Sequence, residues 1–220
     1  MKKIIAAIFA HPDDEAFGPS GTLAKYALDN DVYLIAITKG ESGENYIKES
    51  KEPIEKIRER ELLCSAKKLG IKKVFFLGFK DGTLCNNLYH QIADKMMKIL
   101  DKLKPEILIT VEHRGVSGHI DHIVASMVTS YVFNRLESAK KIMYHCVIEK
   151  YRKLMPADYF IYIPPGYKES EIDEVVDVSS VWKKKINAIM CHQSQLKDIK
   201  RTLNRLQQFP KEEYFLVVTK

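Results

Sequence analysis

The segment 9–18, FAHPDDEAFG, puts one histidine and three consecutive acids directly after an apolar run. Neighbouring carboxylates repel one another, and burying one of them without a partner is costly. Two arrangements would remove that cost. One is a turn in which Asp13 or Asp14 caps the helix that follows. The other is a bound cation, for which His11 and Asp14, three residues apart, are the candidate ligands.

A second group of metal-binding residue types occurs in the segment HIDH, at 119–122. His119 and His122 are three residues apart, so on a helix they share a face. Asp121 lies between them. Two histidines, one carboxylate and an open fourth position are typical of a catalytic zinc site. The pairing of this segment with the first one favours a metal site over a simple capping turn.

Apolar runs that alternate with helical patterns make up the first two-thirds of the chain. The pattern at 53–69 begins with Pro53 and is followed by Gly70, the usual order for a helix start and stop. Short apolar strands between helices indicate a parallel sheet covered on both faces. The sequence therefore predicts strands at 3–9, 31–38, 72–79, 106–111 and 141–148, and helices at 20–29, 53–69, 89–103 and 119–136.

Polar segments follow the first four predicted strands, at the point where each strand ends. They are 11–15, 40–43, 81–82 and 112–122. In open α/β sheets, ligands bind outside the carboxyl ends of the strands. We therefore expect these four segments to open onto one edge of the sheet and to form one site.

The last third of the chain is less regular. It predicts strands at 158–166 and 175–179, a helix at 181–196 and a final strand at 214–220. There is no internal repeat and no low-complexity linker. We expect one domain over 1–220, with a Rossmann-like three-layer α/β fold, a mostly parallel sheet and a C-terminal strand and helix elaboration.

Composition excludes several classes of protein. The chain has 220 residues and a net charge of +6, with its lysines scattered, so nucleic-acid binding is not expected. No apolar stretch approaches a membrane span, and the short apolar run at the N-terminus leads straight into HPDDE, unlike a signal peptide. The four cysteines are far apart, without a C-x-x-C pair. A disulfide scaffold is unnecessary at this size, and we expect a reducing, cytoplasmic compartment.

Five segments in order resemble the motifs of one family. They are AHPDDEAFGPSGTLAKY, TKGESG, IRERELLCSAKKLGIKKVFFLGFKDG, GVSGHIDH and INAIMCHQSQ, which together extend to about residue 195. The family is that of the LmbE/PIG-L-like zinc-dependent N-deacetylases. The resemblance implies a Rossmann-like fold and removal of an acetyl group from an N-acetylglucosamine moiety or a similar amide.

Carried onto this chain, the resemblance makes His11, Asp14 and His122 the ligands of one zinc ion. Asp13 becomes the general base. A carboxylate that is adjacent to a ligand but not bound to the metal can take a proton from water, which suits Asp13 to that task.

The resemblance also implies that His119 stabilises the oxyanion, that Asp121 orients His119, and that Arg58 reaches the substrate. Ile120 departs from the family pattern, since many members carry proline between the histidine and the aspartate. The helix start would be loosened slightly, but no functional atom is lost.

Three readings of the function stay open. The first is deacetylation of an amino sugar or its conjugate, a small-molecule substrate. The second is a zinc amidase for another N-acyl compound, and the third is a non-catalytic module that binds sugar or metal. Asp13 argues against the third, because metal binding alone needs no free base. A permanent membrane anchor is not expected, and a homo-oligomer is compatible with the sequence.

Overall fold

A single seven-stranded sheet organises the computed structural model, which describes residues 2–47, 51–154 and 162–220. The strands are β1 (Ile4–Phe9), β2 (Asp31–Thr38), β3 (Lys73–Phe79), β4 (Ile107–Val111), β5 (Lys141–Cys146), β6 (Glu174–Asp177) and β7 (Glu212–Thr219). Their order across the sheet is β3-β2-β1-β4-β5-β7-β6. Strands β1 to β5 pair in parallel, while β7 runs antiparallel to both β5 and β6.

Helices connect the strands and cover the sheet. They are α1 (Asp14–Phe17), α2 (Ser20–Tyr26), α3 (Ile54–Leu69), α4 (Tyr89–Leu103), α5 (Gly115–Gly118), α6 (Ile120–Arg135), α7 (Glu149–Arg152), α8 (Trp182–Ile189) and α9 (Leu196–Leu206). The chain runs from β1 outward to β3, then returns to β4 on the other side of β1. The order of the strands therefore reverses between β1 and β4, which is where open α/β sheets bind their ligands.

Two hydrophobic cores lie on the two faces of the sheet. Because successive side chains of a strand point to opposite faces, β1 contributes Ile5, Ala7 and Phe9 to one core and Ala6 and Ile8 to the other. The first core is closed by α2, α3, α8 and α9, and the second by α4 and α6. The arrangement confirms the predicted three-layer α/β fold.

The C-terminal third differs from the prediction in two places. The single helix predicted at 181–196 is wrong: α8 ends at Ile189, a turn follows, and a separate helix α9 begins at Leu196. Of the strand predicted at 158–166, residues 158–161 lie outside the described residues, and 162–166 run as irregular backbone. Two consecutive prolines, Pro164 and Pro165, explain this, since neither can donate to a strand ladder.

Cys64 and Cys191 form a disulfide, contrary to the expectation of a chain without disulfide bonds. Cys64 is on α3 and Cys191 is in the turn after α8, and their Cα atoms lie 5.9 Å apart. The two residues are 127 positions apart in sequence. Packing of α3 against α8 brings them together, and no short spacing motif signals it. Cys85 and Cys146 are free.

Within the three described segments, no helix combines the length and the apolar character needed to cross a bilayer.

Candidate active site

The carboxyl ends of β1 and β4, adjacent in the sheet, deliver the two predicted metal-binding segments to one place. The turn after β1 carries His11 and Asp14, and the start of α6 after β4 carries His122. Their ligand atoms lie within 4.8 Å of one another. His122 Nε2 is 3.0 Å from Asp14 Oδ1 and 3.1 Å from His11 Nδ1. The structure thus brings the three predicted ligands together.

The hydrogen bonds around the two rings decide which nitrogens face the cluster. His122 Nδ1 lies 3.1 Å from the carbonyl oxygen of Gly115, and His11 Nε2 lies 2.9 Å from Asp81 Oδ1. Donating to those oxygens leaves the lone pairs of His122 Nε2 and His11 Nδ1 directed at each other and at Asp14. The two lone pairs and the Asp14 carboxylate repel one another unless a proton or a cation lies between them. The donor set therefore fits a divalent metal, with two imidazoles and one carboxylate as for catalytic zinc.

A surplus of carboxylates around His11 supports the same conclusion. Burial lowers the pKa of the His11 ring, but its hydrogen bonds to Asp121 and Asp81 outweigh burial and raise that pKa to about 10. Burial raises the pKa of Asp14, but His122 and His11 reverse this and hold it well below its usual range. The site thus favours positive charge at its centre.

Asp13 lies beside the cluster, and its carboxylate is held by Arg58. Arg58 Nη2 donates to Asp13 Oδ2 at 2.9 Å and to the carbonyl oxygen of Pro12 at 2.5 Å, while Nη1 donates to the carbonyl oxygen of Gly40 at 2.9 Å. Arg58 is only 4% exposed. A Cβ atom at Gly40 would come within 2.3 Å of this guanidinium, so the close approach requires glycine. Burial raises the pKa of Asp13 to about 6, although Arg58 opposes the shift.

His119 stacks on the ring of His122, with 4.9 Å between the ring centroids. Its Nδ1 accepts the backbone N–H of Asp121 at 3.1 Å. Burial lowers the pKa of His119, and together with the neighbouring His122 and His11 it brings that pKa to about 4. The ring is therefore neutral at pH 7, and with Nδ1 accepting, its proton is on Nε2.

Asp121 makes contacts that the sequence did not predict. Its carboxylate lies 3.3 Å from His11 Nε2 and accepts the backbone N–H groups of Gly82, at 2.8 Å, and Leu84, at 3.1 Å. The predicted interaction with His119 exists through the backbone N–H of Asp121. The carboxylate itself ties the loop after β3 to His11.

Two buried acids that support the site were not predicted in that role. Asp81 contacts His11, and it also accepts the backbone N–H of Ser42 at 3.1 Å. Its place at the end of β3, on the shared sheet edge, was the available signal. Glu112 had the same signal, since it follows β4 directly and begins the polar segment 112–122.

Glu112, which is 2% exposed, holds the loop between β4 and α6. Its Oε1 accepts the N–H of Val116 at 2.6 Å, and its Oε2 accepts the N–H of Arg114 at 2.6 Å and the hydroxyl of Tyr167 at 2.8 Å. Val116 has φ 59° and ψ −52°, which a β-branched residue rarely adopts. The two bonds from the loop N–H groups of Arg114 and Val116 to Glu112 hold the chain in this strained conformation.

A cavity of about 650 Å³ opens over the cluster, within the usual size range of small-molecule sites. The three candidate metal ligands line it, together with Asp13, Arg58 and His119. Its wall continues to Arg152 on α7 and to Arg201 and Arg205 on α9. The predicted site residues therefore share one cavity, with Asp121 buried directly behind them.

The chain is similar to known proteins over most of its length. Residues 6–133 match the family PIG-L, described as GlcNAc-PI de-N-acetylase. A probable N-acetyl-alpha-D-glucosaminyl L-malate deacetylase 2 of Bacillus subtilis (strain 168) is 27% identical over 92% of this chain and 88% of its own. A 1D-myo-inositol 2-acetamido-2-deoxy-alpha-D-glucopyranoside deacetylase of Mycobacteroides abscessus is 25% identical over 86% of this chain and 80% of its own.

Solved structures share the fold. The N,N'-diacetylchitobiose deacetylase of Pyrococcus horikoshii superposes with a TM-score of 0.73 at 20% identity, over 99% of this chain and 84% of that one. A 4-carboxy-2-hydroxymuconate hydratase, GalB of Pseudomonas putida KT2440, also has a TM-score of 0.73, at 17% identity over 100% of this chain and 97% of that one. The fold therefore hosts more than one reaction. With more than half of its length matched, the chain belongs to the PIG-L (LmbE-like) family, whose curated relatives here are N-acetylglucosaminyl deacetylases.

Proposed function

We propose that this protein is a zinc-dependent N-deacetylase that hydrolyses the acetamide of an N-acetylglucosamine-type sugar or its conjugate. One observation carries the proposal: two imidazole lone pairs and the Asp14 carboxylate converge on a point, and Asp13 lies beside them without joining the set. Zinc bound by His11, Asp14 and His122 would supply Lewis acidity, which acidifies water and polarises an amide carbonyl.

Asp13 accepts the proton of the attacking water. A base needs a free carboxylate oxygen close to the cluster, and it needs to be ionised at working pH. Arg58 holds one carboxylate oxygen of Asp13, Oδ2, at 2.9 Å and favours the ionised form. The same guanidinium lines the cavity, so Arg58 orients the base and borders the substrate at once.

His119 donates a hydrogen bond to the acetyl oxygen as negative charge develops on it. The ring is neutral and carries its proton on Nε2, because Nδ1 accepts from the backbone of Asp121. A donor that is fixed before the reaction stabilises an oxyanion without reorganising. When the carbon–nitrogen bond breaks, the amine takes up the proton that Asp13 accepted from water, and acetate leaves.

The substrate class rests on the relatives. Those named above act, by their names, on N-acetylglucosamine joined to L-malate or to inositol, or on diacetylchitobiose. The sugar and its acetamide are common to them and the attached group is not. The cavity wall beyond the cluster, with Arg152, Arg201 and Arg205, leaves room for such a group.

An acetate-release assay tests the proposal. The zinc-loaded protein is given N-acetylglucosamine, N-acetylglucosaminyl L-malate, the inositol conjugate and diacetylchitobiose, with N-acetylated amino acids as the non-sugar arm. We expect acetate and a free amine in equal amounts from at least one sugar. Turnover confined to the non-sugar arm favours an amidase for another N-acyl compound. No turnover in either arm, with zinc bound, favours a non-catalytic binding module.

We further propose that residues 1–220 act as one deacetylase domain, on a small molecule and without nucleic acid. The lysines are scattered in sequence and the cavity is of small-molecule size. A homo-oligomer is compatible with this proposal, and sedimentation of the purified protein measures it directly.

A further inference from the structure

Three buried polar residues lie behind Asp13, away from the substrate. Glu15, Ser65 and His192 are each 0% exposed. Glu15 Oε1 accepts the hydroxyl of Ser65 at 2.5 Å and lies 2.9 Å from His192 Nε2. None of the three is among the described residues that line the cavity. They can influence the reaction only through another residue.

That residue is Asp13, which the second oxygen of Glu15 reaches. Glu15 Oε2 accepts the backbone N–H of Asp13 at 3.0 Å. Asp13 has φ 105° and ψ −25°, in the left-handed region that residues other than glycine rarely occupy. Such a conformation persists only when its surroundings impose it, and it is common at functional sites.

The donors to Glu15 come from two elements that the fold brings together. Ser65 lies on α3, and His192 lies in the turn between α8 and α9. Each follows a half-cystine directly, since Cys64 precedes Ser65 and Cys191 precedes His192. The disulfide therefore joins the two segments at the point where both contact Glu15. A buried carboxylate with three donors is fixed in position far better than an exposed one.

We propose that Glu15, held by His192 and Ser65, is a positioning residue for Asp13. It keeps the Asp13 backbone in the left-handed conformation, and the Asp13 carboxylate then points at Arg58 and the metal-binding cluster. His192 acts one step further away, by holding Glu15. The proposal rests on the proposed function, in which Asp13 is the base. A displacement of about 1 Å at a reacting group typically lowers the rate about a hundredfold.

Two substitutions of His192 test this inference. His192→Leu removes the donor to Glu15, and His192→Gln keeps an N–H donor at the place of Nε2. We expect His192→Leu to lower kcat about ten- to a hundredfold, with KM within twofold and zinc content unchanged. His192→Gln should restore kcat to within about threefold of the wild type.

The matched control is Ser194→Ala. Ser194 lies two residues after His192, and its hydroxyl donates to Glu61 on α3 at 2.6 Å. This substitution weakens the same junction without touching Glu15, so kcat should stay within twofold. An equal loss of kcat in Ser194→Ala and His192→Leu would show that general loosening is responsible and would overturn the proposal. If His192→Leu does not fold, Ser65→Ala removes the other donor and takes its place.

Hydrogen exchange of the Asp13 amide tests the inference without any substrate. In His192→Leu and Ser65→Ala we expect this amide to exchange at least tenfold faster than in the wild type, while the amides of β1 keep their rates. Unchanged protection of Asp13 would overturn the inference. Because this readout needs no turnover, it separates a failure of the positioning role from a failure of the deacetylase proposal.

Discussion

Asp13 and Asp14 are adjacent acids whose surroundings shift their pKa values in opposite directions. Burial raises the pKa of Asp13 to about 6 despite Arg58, whereas His122 and His11 overcome burial and hold the pKa of Asp14 well below its usual range. Titratable neighbours with divergent pKa values are typical of acid–base sites. In the proposed mechanism, Asp14 stays ionised as a ligand, and Asp13 gains and loses a proton.

Asp13→Asn separates metal binding from chemistry. The amide keeps the size of the side chain but cannot take a proton from water, so we expect kcat to fall about a hundred- to ten-thousandfold. Zinc content and KM should change little. Metal analysis and acetate-release kinetics on one preparation measure both. Loss of zinc in this variant would make Asp13 a ligand and contradict the assignment of the two aspartates.

His119→Ala removes the proposed oxyanion donor. We expect kcat to fall about a hundred- to a thousandfold, more than KM rises, because the hydrogen bond strengthens only as charge develops on the acetyl oxygen. Zinc should be retained, since His11, Asp14 and His122 remain. If zinc is lost in parallel with activity, the cluster has four ligands and His119 is one of them.

At the scale of elements, the loop between β4 and α6 sets the geometry of the metal-binding cluster. Gly115 and Val116 both have positive φ, and the Gly115 carbonyl oxygen contacts His122 Nδ1. Glu112 holds this loop by accepting the N–H groups of Arg114 and Val116. The orientation of the His122 ring, a candidate metal ligand, thus depends on a carboxylate outside the cluster.

Glu112→Gln should weaken zinc binding about ten- to a hundredfold, the usual effect of disturbing the partners of a metal ligand. In the glutamine, an NH₂ group replaces one of the two acceptor oxygens and faces a backbone N–H group, which is also a donor. Competition with a chelator measures the affinity. Tyr167→Phe is the control, because it removes one bond to Glu112 and leaves both loop contacts. An unchanged zinc affinity in Glu112→Gln would contradict the role of the loop.

The disulfide joins α3 to the turn after α8, and its removal should lower stability. A bond that closes a loop of this length restricts the unfolded chain, and native disulfides typically contribute about 2–4 kcal/mol. We expect the double substitution Cys64→Ser and Cys191→Ser to lower the free energy of unfolding by that amount, as measured by unfolding in urea. Cys85→Ser, at an exposed free cysteine, should leave it unchanged. Equal stability with and without dithiothreitol in the wild type would show that the bond is not formed.

At the scale of the whole molecule, buried polar contacts join the C-terminal third to the N-terminal part of the fold. Glu213 on β7 accepts hydrogen bonds from Lys185 Nζ at 2.7 Å and from the N–H groups of Gly21 and Thr22 on α2.

His145 on β5 lies opposite Phe215 of β7 in the sheet. Burial lowers the pKa of His145 to about 4.

His145 should make the fold less stable in acid. Its pKa is about 4 when folded and about 6.5 in an unfolded chain, so below pH 6.5 the unfolded state binds more protons. The folded state therefore keeps its full stability above pH 6.5, where His145 is neutral whether the chain is folded or unfolded. It loses stability as the pH falls towards 4, because the unfolded chain then binds a proton that folded His145 does not. Between pH 7.5 and 5, the free energy of unfolding of His145→Gln should fall by about 1–2 kcal/mol less than that of the wild type. Urea unfolding at the two pH values measures the difference. Parallel pH curves would contradict this.

Much of the fold could be predicted from the sequence, because its signals are local. Apolar runs define strands, and Pro53 with Gly70 delimits α3, which the structure gives as Ile54–Leu69. The topology of parallel strands then requires the segments after β1 and β4 to meet. Within those segments, the resemblance to a known family singled out His11, Asp14 and His122 as one set of candidate ligands.

The tertiary structure alone decided which side chains support that set. His192 reaches Glu15 because the chain turns between α8 and α9, where the helical pattern of the sequence runs on without a break. Cys64 meets Cys191, and Glu112 holds Val116, through packing and through a strained backbone. Periodicity reports which face of an element is buried, whereas a contact between distant residues depends on how the elements pack. The sequence by itself therefore determined the fold and the candidate reacting groups, and the packing decided how those groups are held.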